Sequence, residues 1–406
     1  MLWVADKVRG IYTADNYYPT ELNTLQLNFY DQKSKLYPDV DLYPAGKVYP
    51  SERVKATFTF DESDIVSESM TITEGLCDTD KIDYRSCVSS SLAIEITDVQ
   101  QDVQDMEIEV IQILTNEEGD EEYQVPLFEG IVDIAQKNGD KTRRKIKAYD
   151  YLYYRYNENI IDWYNSLTFP MKCKDLRIAL YRAYNMPYVV QDLVNDNIYI
   201  NKSDIDELNG RELLKMIGEF NGAFVHINRS NQIKFISLDR YNYIYPDNSR
   251  LPDTFYPGAQ TDAHGFEHAE VYIDCEYGDY RVQEINRITV KEQDSLLGVY
   301  GTGTNTYEII DNILFHGMDG EVITSALSNI YSKIGGIWYV PHKTTIKGRP
   351  YVECGDVINV QISPNKSIDT YVFKRTLKGV YAMKDTYEAN GDEYHNKLYE
   401  VEEWTE

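Results

Sequence analysis

The chain has 406 residues and carries 67 acidic against 40 basic side chains, a formal net charge of −27. That length allows roughly two to four domains with real cores, and the acidic surplus excludes gripping a nucleic-acid backbone by counterion release, which needs clustered Lys and Arg. No apolar run reaches the roughly eighteen residues of a bilayer span, and the opening Met1-Leu-Trp-Val-Ala5 breaks at Asp6-Lys7, so neither membrane insertion nor an export signal is expected.

Residues 1–50 are punctuated by Tyr18-Pro19, Tyr37-Pro38, Tyr43-Pro44 and Tyr49-Pro50. Each Pro removes a ladder donor and pushes its predecessor to extended geometry, which predicts strands with long irregular connections. From Arg53 the alternation is clean (Val54, Ala56, Phe58, Phe60) and continues through 91–96, 106–114, 125–134 and 145–150. Turn clusters lie at 116–120 and at Asn138-Gly139, and short strands at hairpin spacing predict a barrel or sandwich.

After Asp150 the period changes. Residues 173–184 place Leu176, Ala179, Leu180 and Ala183 on one helical face, and 211–220 place Leu213, Leu214, Ile217 and Phe220 likewise before Asn221-Gly222 stops the helix. A hairpin is expected from 223–227 and 233–237, turning at Arg229-Ser-Asn231. These roughly ninety residues form an α/β unit of ordinary domain size. Residues 241–266, again rich in Tyr-Pro and Gly, read as a linker. Strands resume at 269–273 and 281–292; a helix at 321–334 aligns Val322, Ile323, Ala326, Leu327, Ile330 and Ile334, ended by Gly335-Gly336. Further strands are expected at 337–340, 344–347, 356–362 and 370–375. The chain then closes on two alternating arms, from Arg375 to His395, joined at Asn390-Gly391, a pair that accepts the positive φ of a type I′ turn.

Tyrosine is abundant, 36 against 12 Phe. A large apolar face with a hydroxyl suits half-wet surfaces and subunit contacts, or solvent-side strand positions. The five cysteines (77, 87, 173, 275, 354) contain no Cys-x-x-Cys and fit reduced thiols, with Cys77 and Cys87 expected as small buried hydrophobes.

Several motifs suggest chemistry that their context opposes. His264-Gly-Phe-Glu-His268 fits H-x-x-E-H, which needs two imidazoles one helical turn apart beside a metal-bound water. Gly265 weakens a helix, Pro257-Gly258 precedes it and a strand-like run follows, so no zinc is expected; His226, His316, His342 and His395 have no clear ligand context either. Ser363-Pro-Asn-Lys366 fits S-x-x-K but reads as a turn between strands. Gly301-Thr-Gly-Thr-Asn305 lacks the spacing and helix of a pyrophosphate loop. Asp78 and Asp80, and the tip with Glu117, Glu118, Asp120, Glu121 and Glu122, lack a calcium loop with its closing Glu. No catalytic, cofactor-binding or metal-binding residue is assigned, and no cofactor. The basic segment Lys141-Thr-Arg-Arg-Lys145-Ile-Lys147 reads as a solvated hairpin edge, the alternative being an ion-pairing contact with an acidic neighbouring subunit.

Two segments, Arg375 to His395 and Met70-Thr-Ile-Thr-Glu-Gly-Leu-Cys77 with Tyr84-Arg-Ser-Cys87 and Ser91-Leu-Ala-Ile-Glu-Ile96, resemble the tail hub (tail-tip) proteins of phages and phage-derived particles of Gram-positive bacteria. That family resembles the hub of the T4 baseplate. Further matching blocks are 77–96, 149–169 (with Trp163-Tyr164 and Phe169-Pro170), 209–235, 300–315 and 375–396. The resemblance implies a mainly β fold with an α/β insertion (α+β, multidomain): a tube-type β-barrel domain at 1–150, an α/β domain at 151–240, a linker at 241–268, and a second tube-type barrel at 269–406 with one helix and scope for a small peripheral subdomain. It also implies a glycine-threonine hairpin tip near Gly301. Several family members carry a cell-wall hydrolase after the hub module; here nothing follows the final strand, so the resemblance points to a structural part rather than an enzyme.

By the same resemblance, three subunits form a ring whose six β domains join a sixfold tail tube to a threefold tip. The expected neighbours are a distal tail or tube ring, a tape-measure protein and tip or fibre proteins. DNA would pass the axis without specific binding, along a wall rich in Asp and Glu that repels phosphate. The expected location is the virion tail tip, assembled in the host cytoplasm. A carbohydrate-binding adhesin is the alternative reading, and a zinc cell-wall peptidase resting on His264 and His268 the third.

Overall fold

The computed structural model of the chain describes residues 23–31, 58–77, 81–97, 100–115, 122–139, 141–238, 267–268, 272–349, 352–363, 366–380 and 383–391. The fold is mainly β. Its first seven strands are β1 (Asn23–Tyr30), β2 (Phe58–Asp61), β3 (Thr71–Gly75), β4 (Ser91–Ile96), β5 (Glu107–Thr115), β6 (Glu122–Lys137) and β7 (Arg144–Tyr149). Period-two burial sets their faces: β4 buries Leu92, Ile94 and Ile96, and β7 buries Arg144, Ile146 and Ala148. Arg144 is thus the inward member of the basic segment, donating to the Ala135 carbonyl at 2.8 Å, while Lys145 and Lys147 point outward.

The α/β segment follows: α1 (Tyr151–Arg155), α2 (Ile161–Ser166), β8 (Met171–Lys172), α3 (Cys173–Ala183), β9 (Tyr199–Ile200), α4 (Gly210–Asn221), β10 (Phe224–Ile227) and β11 (Ile233–Ile236). Asn209 caps α4 by accepting from the Glu212 N–H at 2.8 Å, and Gly222, left-handed at φ 61°, stops it as the sequence predicts. The buried stripe of α3 is Cys173, Leu176, Arg177, Leu180 and Tyr181, rotated from the predicted face, so Ala183 lies in solvent. The rotation follows from Asp196, which draws Arg177 into the core at 2.7 Å.

Then come β12 (Glu267–His268), β13 (Tyr272–Tyr277), β14 (Arg287–Glu292), β15 (Ser295–Gly301), β16 (Thr306–Ile310), α5 (Gly320–Ile334), β17 (His342–Lys347), β18 (Val357–Ser363), β19 (Lys366–Tyr371), β20 (Lys374–Lys378) and β21 (Lys384–Ala389). The predicted stripe of α5 holds at Ile323, Ala326, Leu327, Ile330 and Ile334, which are buried, while Val322 is only half-buried. Residues 337–340 are not a strand. The closing hairpin lies earlier than expected: β20 and β21 pair with each other up to Lys378 opposite Lys384, and Gly379 just beyond β20 has φ 89°. Asn390 and Gly391 do not take positive φ; instead the Asn390 carbonyl accepts from Tyr339 and the Gly391 carbonyl from Tyr280.

The loop at Gly301 is not a hairpin tip either. β15 is antiparallel to β14 and β16 is parallel to it, so the loop crosses the end of β14 from one edge of a three-stranded sheet to the other. Asn286 holds that crossing, its Oδ1 accepting from the Asn305 N–H at 3.0 Å, and a Cβ on Gly301 (φ 86°) would fall 2.4 Å from the Asn286 carbonyl.

Eleven strands form one sheet in the order β13-β17-β21-β20-β3-β4-β7-β6-β5-β1-β2. The N-terminal seven and the C-terminal four meet at an antiparallel seam, Lys374 opposite Gly75 through Lys378 opposite Thr71. One hydrophobic core runs beneath, from Ile72 and Tyr84 through Leu213 and Phe224 to Phe373 and Leu377. Eight tyrosines (84, 151, 156, 164, 181, 339, 371, 387) are fully buried, so much of the tyrosine content fills core rather than half-wet surface. Tyr84, for example, stacks on Phe224 with ring centres 4.6 Å apart. Cys87 is buried as expected, but Cys77 only half-buried. Among the described residues no helix is long and apolar enough to cross a membrane. The Tyr-Pro pairs, Val54, Ala56, Asp78, Asp80, the acids at 117–121, the 241–266 linker, His264 and His395 lie outside the described residues.

Candidate functional site: a buried ion cluster where three segments meet

The strand alternation that fills the core with Ile72 and Leu377 also places Glu74 and Arg375 on the same inward face, two residues along their strands. Arg229, at the β10–β11 turn, completes the contact. Its Nε and Nη2 donate to Glu74 Oε1 and Oε2, both at 3.0 Å, a bidentate pair, and its Nη2 also donates to the Val352 carbonyl at 2.7 Å. Arg375 Nη1 donates to Glu74 Oε2 at 3.1 Å and its Nη2 to Asp385 Oδ2 at 3.0 Å, with Nε 2.9 Å from Asp385 Oδ1. Asp385 further accepts from the Arg349 N–H at 2.6 Å. Glu74, Arg229, Arg375 and Asp385 are each at most 4 % exposed.

Two carboxylates and two guanidiniums therefore cancel in a space almost closed to solvent. Burial alone would raise the Glu74 carboxyl, but Arg229 and Arg375 outweigh it and hold it down at about 2. Burial would lower Arg375, yet Asp385 and Glu74 raise it. Desolvating such a group is repaid only by near-complete pairing, so the arrangement fixes geometry more than it adds stability. It ties β3, the α/β hairpin and the β20–β21 hairpin together at one point. Lys234 and Glu353, 3.3 Å apart, flank it, and burial lowers the nearby His226.

Beside the cluster lies a cleft of about 340 Å³ lined by Glu74, Gly75, Cys77, Val88, Ser89 and Phe373, among others. Its cause is topological. β3 pairs with β20 along its whole length but with β4 only from Thr71 to Thr73, so the sheet splays beyond Thr73.

A second buried polar group sits under the three-stranded sheet. Glu219 on α4 accepts from Asn312 Nδ2 at 2.9 Å, and Tyr307 Oη lies 3.3 Å from both Glu219 Oε1 and Asp83 Oδ1. Tyr307 also accepts the Tyr84 N–H at 3.1 Å. Burial pushes the Glu219 carboxyl up to about 7 against the hydrogen bonds that favour its charge. Asp150, buried at the start of α1, is likewise pushed up to about 7 by burial although it accepts from the Ser90 and Leu152 N–H groups.

The motifs weighed in the sequence do not converge. Glu267 and His268 lie in β12, which runs parallel to β18, not on a helix. Ser363 and Lys366 are register partners at the turn end of the β18–β19 hairpin, not at a helix start. His342 is buried between Thr344 and the Tyr371 carbonyl, and burial lowers it to about 4. His316 Nδ1 lies 2.6 Å from Glu292 Oε1. Burial pushes the Cys87 and Cys173 thiols to about 12, which suits packing and not nucleophilic chemistry. Among the described residues no three His, Cys, Asp or Glu side chains group as a metal site. The cluster itself is absent from any motif; its signal is a charged residue in the apolar register of a strand, as Glu74 is beside Ile72 and Arg375 beside Leu377.

No protein-family model matches the chain, and no curated protein matches it in sequence. Solved structures do. The 43 kDa tail protein of prophage MuSo2 from Shewanella oneidensis is similar at TM-score 0.51 and 10% identity, covering 91% of this chain and 97% of that one. A tail protein from Neisseria meningitidis aligns at TM-score 0.47 and 13% identity over 80% of this chain and 92% of its own. A Francisella PdpA-VgrG complex aligns at TM-score 0.44 and 9% identity, over 93% and 60%. At such identities the MuSo2 likeness speaks for architecture, and it does so over nearly the whole of both chains: the fold of this chain is that of a phage-type tail protein.

Proposed function

We propose that this chain is a structural component of the tail tip or baseplate of a phage or phage-like particle. In this reading three copies form the ring that joins a sixfold tail tube to a threefold tip, and no residue has a catalytic role. The observation that carries it is the fold shared with the MuSo2 tail protein along 91% of this chain and 97% of that one. The β-rich segments at the two ends of the chain would supply the two tube-type barrels, with the α/β segment of 151–240 between them. The seam of β20 against β3 and the ion cluster beneath it couple such a pair rigidly, as a ring that must keep its geometry requires. Two similar domains in each of three copies present six positions to a sixfold tube, and heterologous contacts that close on themselves make the ring finite. Its neighbours in this reading are the distal tail or tube ring, the tape-measure protein and tip or fibre proteins.

Cryo-electron microscopy of the intact particle tip tests this. The expected result is three copies around the tail axis, each of 47.2 kDa, at the end of the tube. A single copy, or a position away from the axis, contradicts it.

A further inference from the structure

The hydrogen bonds around Glu219 can be completed in only one way. Backbone groups fix the Asn312 amide: its Oδ1 accepts the Leu314 N–H at 3.1 Å and its Nδ2 donates to the Met216 carbonyl at 3.0 Å. The second Nδ2 hydrogen therefore points at Glu219 Oε2, 2.9 Å away, and that oxygen must accept. Glu219 Oε1 faces Tyr307 Oη at 3.3 Å. Asp83 Oδ1 faces the same hydroxyl at 3.3 Å while accepting the Arg85 N–H at 2.9 Å. Tyr307 Oη already accepts the Tyr84 N–H at 3.1 Å.

A phenol has a single hydrogen to give. With both carboxyls ionised, one of them meets the Tyr307 oxygen with no hydrogen between. With a proton on Glu219 Oε1 every group has a partner, because Glu219 donates to Tyr307 and Tyr307 donates to Asp83. Glu219, 2 % exposed, is the carboxyl that holds this proton, since half-buried Asp83 reaches water. Burial and the two carboxyls raise Tyr307, so the phenol keeps its own hydrogen.

This chain of bonds joins three parts of the fold. Tyr307 lies on β16, an edge strand of the three-stranded sheet, Glu219 on α4, and Asp83 between β3 and β4. Arg85 spans the same junction, donating to the Ile310 carbonyl at the end of β16 and lying 3.9 Å from Glu212 of α4. The opposite edge, β15, is seated by apolar contact instead, with Gly298 against Ile323 and Leu327 of α5. The charges that face Glu219 are those of Asp83 and Arg85. Around them, Lys215 pairs with Glu212 along α4 at 2.7 Å and Glu308 of β16 with Lys291 at 2.6 Å. Asp311 accepts the Gln293 N–H at 2.6 Å, and Lys333 of α5 packs beside Gly222.

We propose that one proton, linking Glu219 to Asp83 through Tyr307, latches the β16 edge of the three-stranded sheet onto α4 and residues 83–85, and that its loss as pH rises frees that edge while β15 stays on α5. Ionisation releases the Oε1 proton to water and leaves its electron pair on the carboxylate. Burial raises Glu219 from the ordinary 4.5 to about 7, so the latch is fully closed below pH 4.5 and is lost as pH rises through about 7.

Hydrogen exchange of the full chain between pH 5 and pH 8, read by mass spectrometry, tests it. The protection of β16 is taken relative to β5 in the large sheet, which cancels the intrinsic pH dependence of exchange. In wild type this ratio is expected to fall by on the order of tenfold, while that of β15 holds. In Glu219→Gln, whose amide reproduces the protonated carboxyl, the β16 ratio is expected to stay level. Circular dichroism checks that each variant is folded. Should Glu219→Gln not fold, Tyr307→Phe decides: it is expected to lower the β16 ratio at pH 5 and to abolish the step. A wild-type ratio that does not change with pH overturns the latch, as does the same fall in Glu219→Gln or a full step in Tyr307→Phe. An equal loss in β15 overturns the opening at one edge.

Discussion

Arg375 holds two carboxylates at once, Glu74 at 3.1 Å and Asp385 at 3.0 Å, while only 1 % exposed. Removing one partner from such a set strands the others in a medium that cannot solvate them. Arg375→Ala is therefore expected to destabilise the fold by about 3–5 kcal/mol, read as a loss in chemical denaturation. Glu219 is the opposite case, a buried carboxyl that the fold prefers protonated. Its folded value near 7 lies above the ordinary 4.5, so its contribution is fully present below pH 4.5 and is lost as pH rises through about 7. Glu219→Gln keeps the neutral shape at every pH. The melting temperature of this variant, measured relative to wild type, is expected to rise by several degrees between pH 5 and pH 8; a flat difference would refute the assignment.

At the scale of the element, helix stops and strand registers are decided by few atoms. Gly222 ends α4 at φ 61°, and a Cβ there would meet the Ile334 side chain of α5 at 2.9 Å. Gly222→Ala is expected to cost about 1–2 kcal/mol from the left-handed backbone, plus whatever α5 must give, and thermal melting measures the sum. The Asn221-Gly222 stop was legible because only local backbone geometry is involved. The face of α3 was not, since Arg177 turns inward for Asp196, nineteen residues away. The closing hairpin misled for a similar reason. Asn390-Gly391 has the composition of a tight turn, but Tyr339 and Tyr280 bind its carbonyls and hold the chain on course.

Over the whole molecule, the continuous sheet and core make the two β-rich ends of the chain one mechanical body. That continuity is what the proposed structural role requires of a subunit. The proposed ring is a prediction at this scale, and it does not depend on a reactive residue.

Composition, strand alternation and helical periodicity by themselves determined the mainly β class, the α/β segment and the stripes of α4 and α5, because those signals are local and repeat along the chain. Tertiary structure alone decided that β20 pairs with β3 and that Glu74, Arg229, Arg375 and Asp385 share one buried space. Each of those joins residues tens to hundreds of positions apart, and no local pattern encodes which distant strand becomes a neighbour.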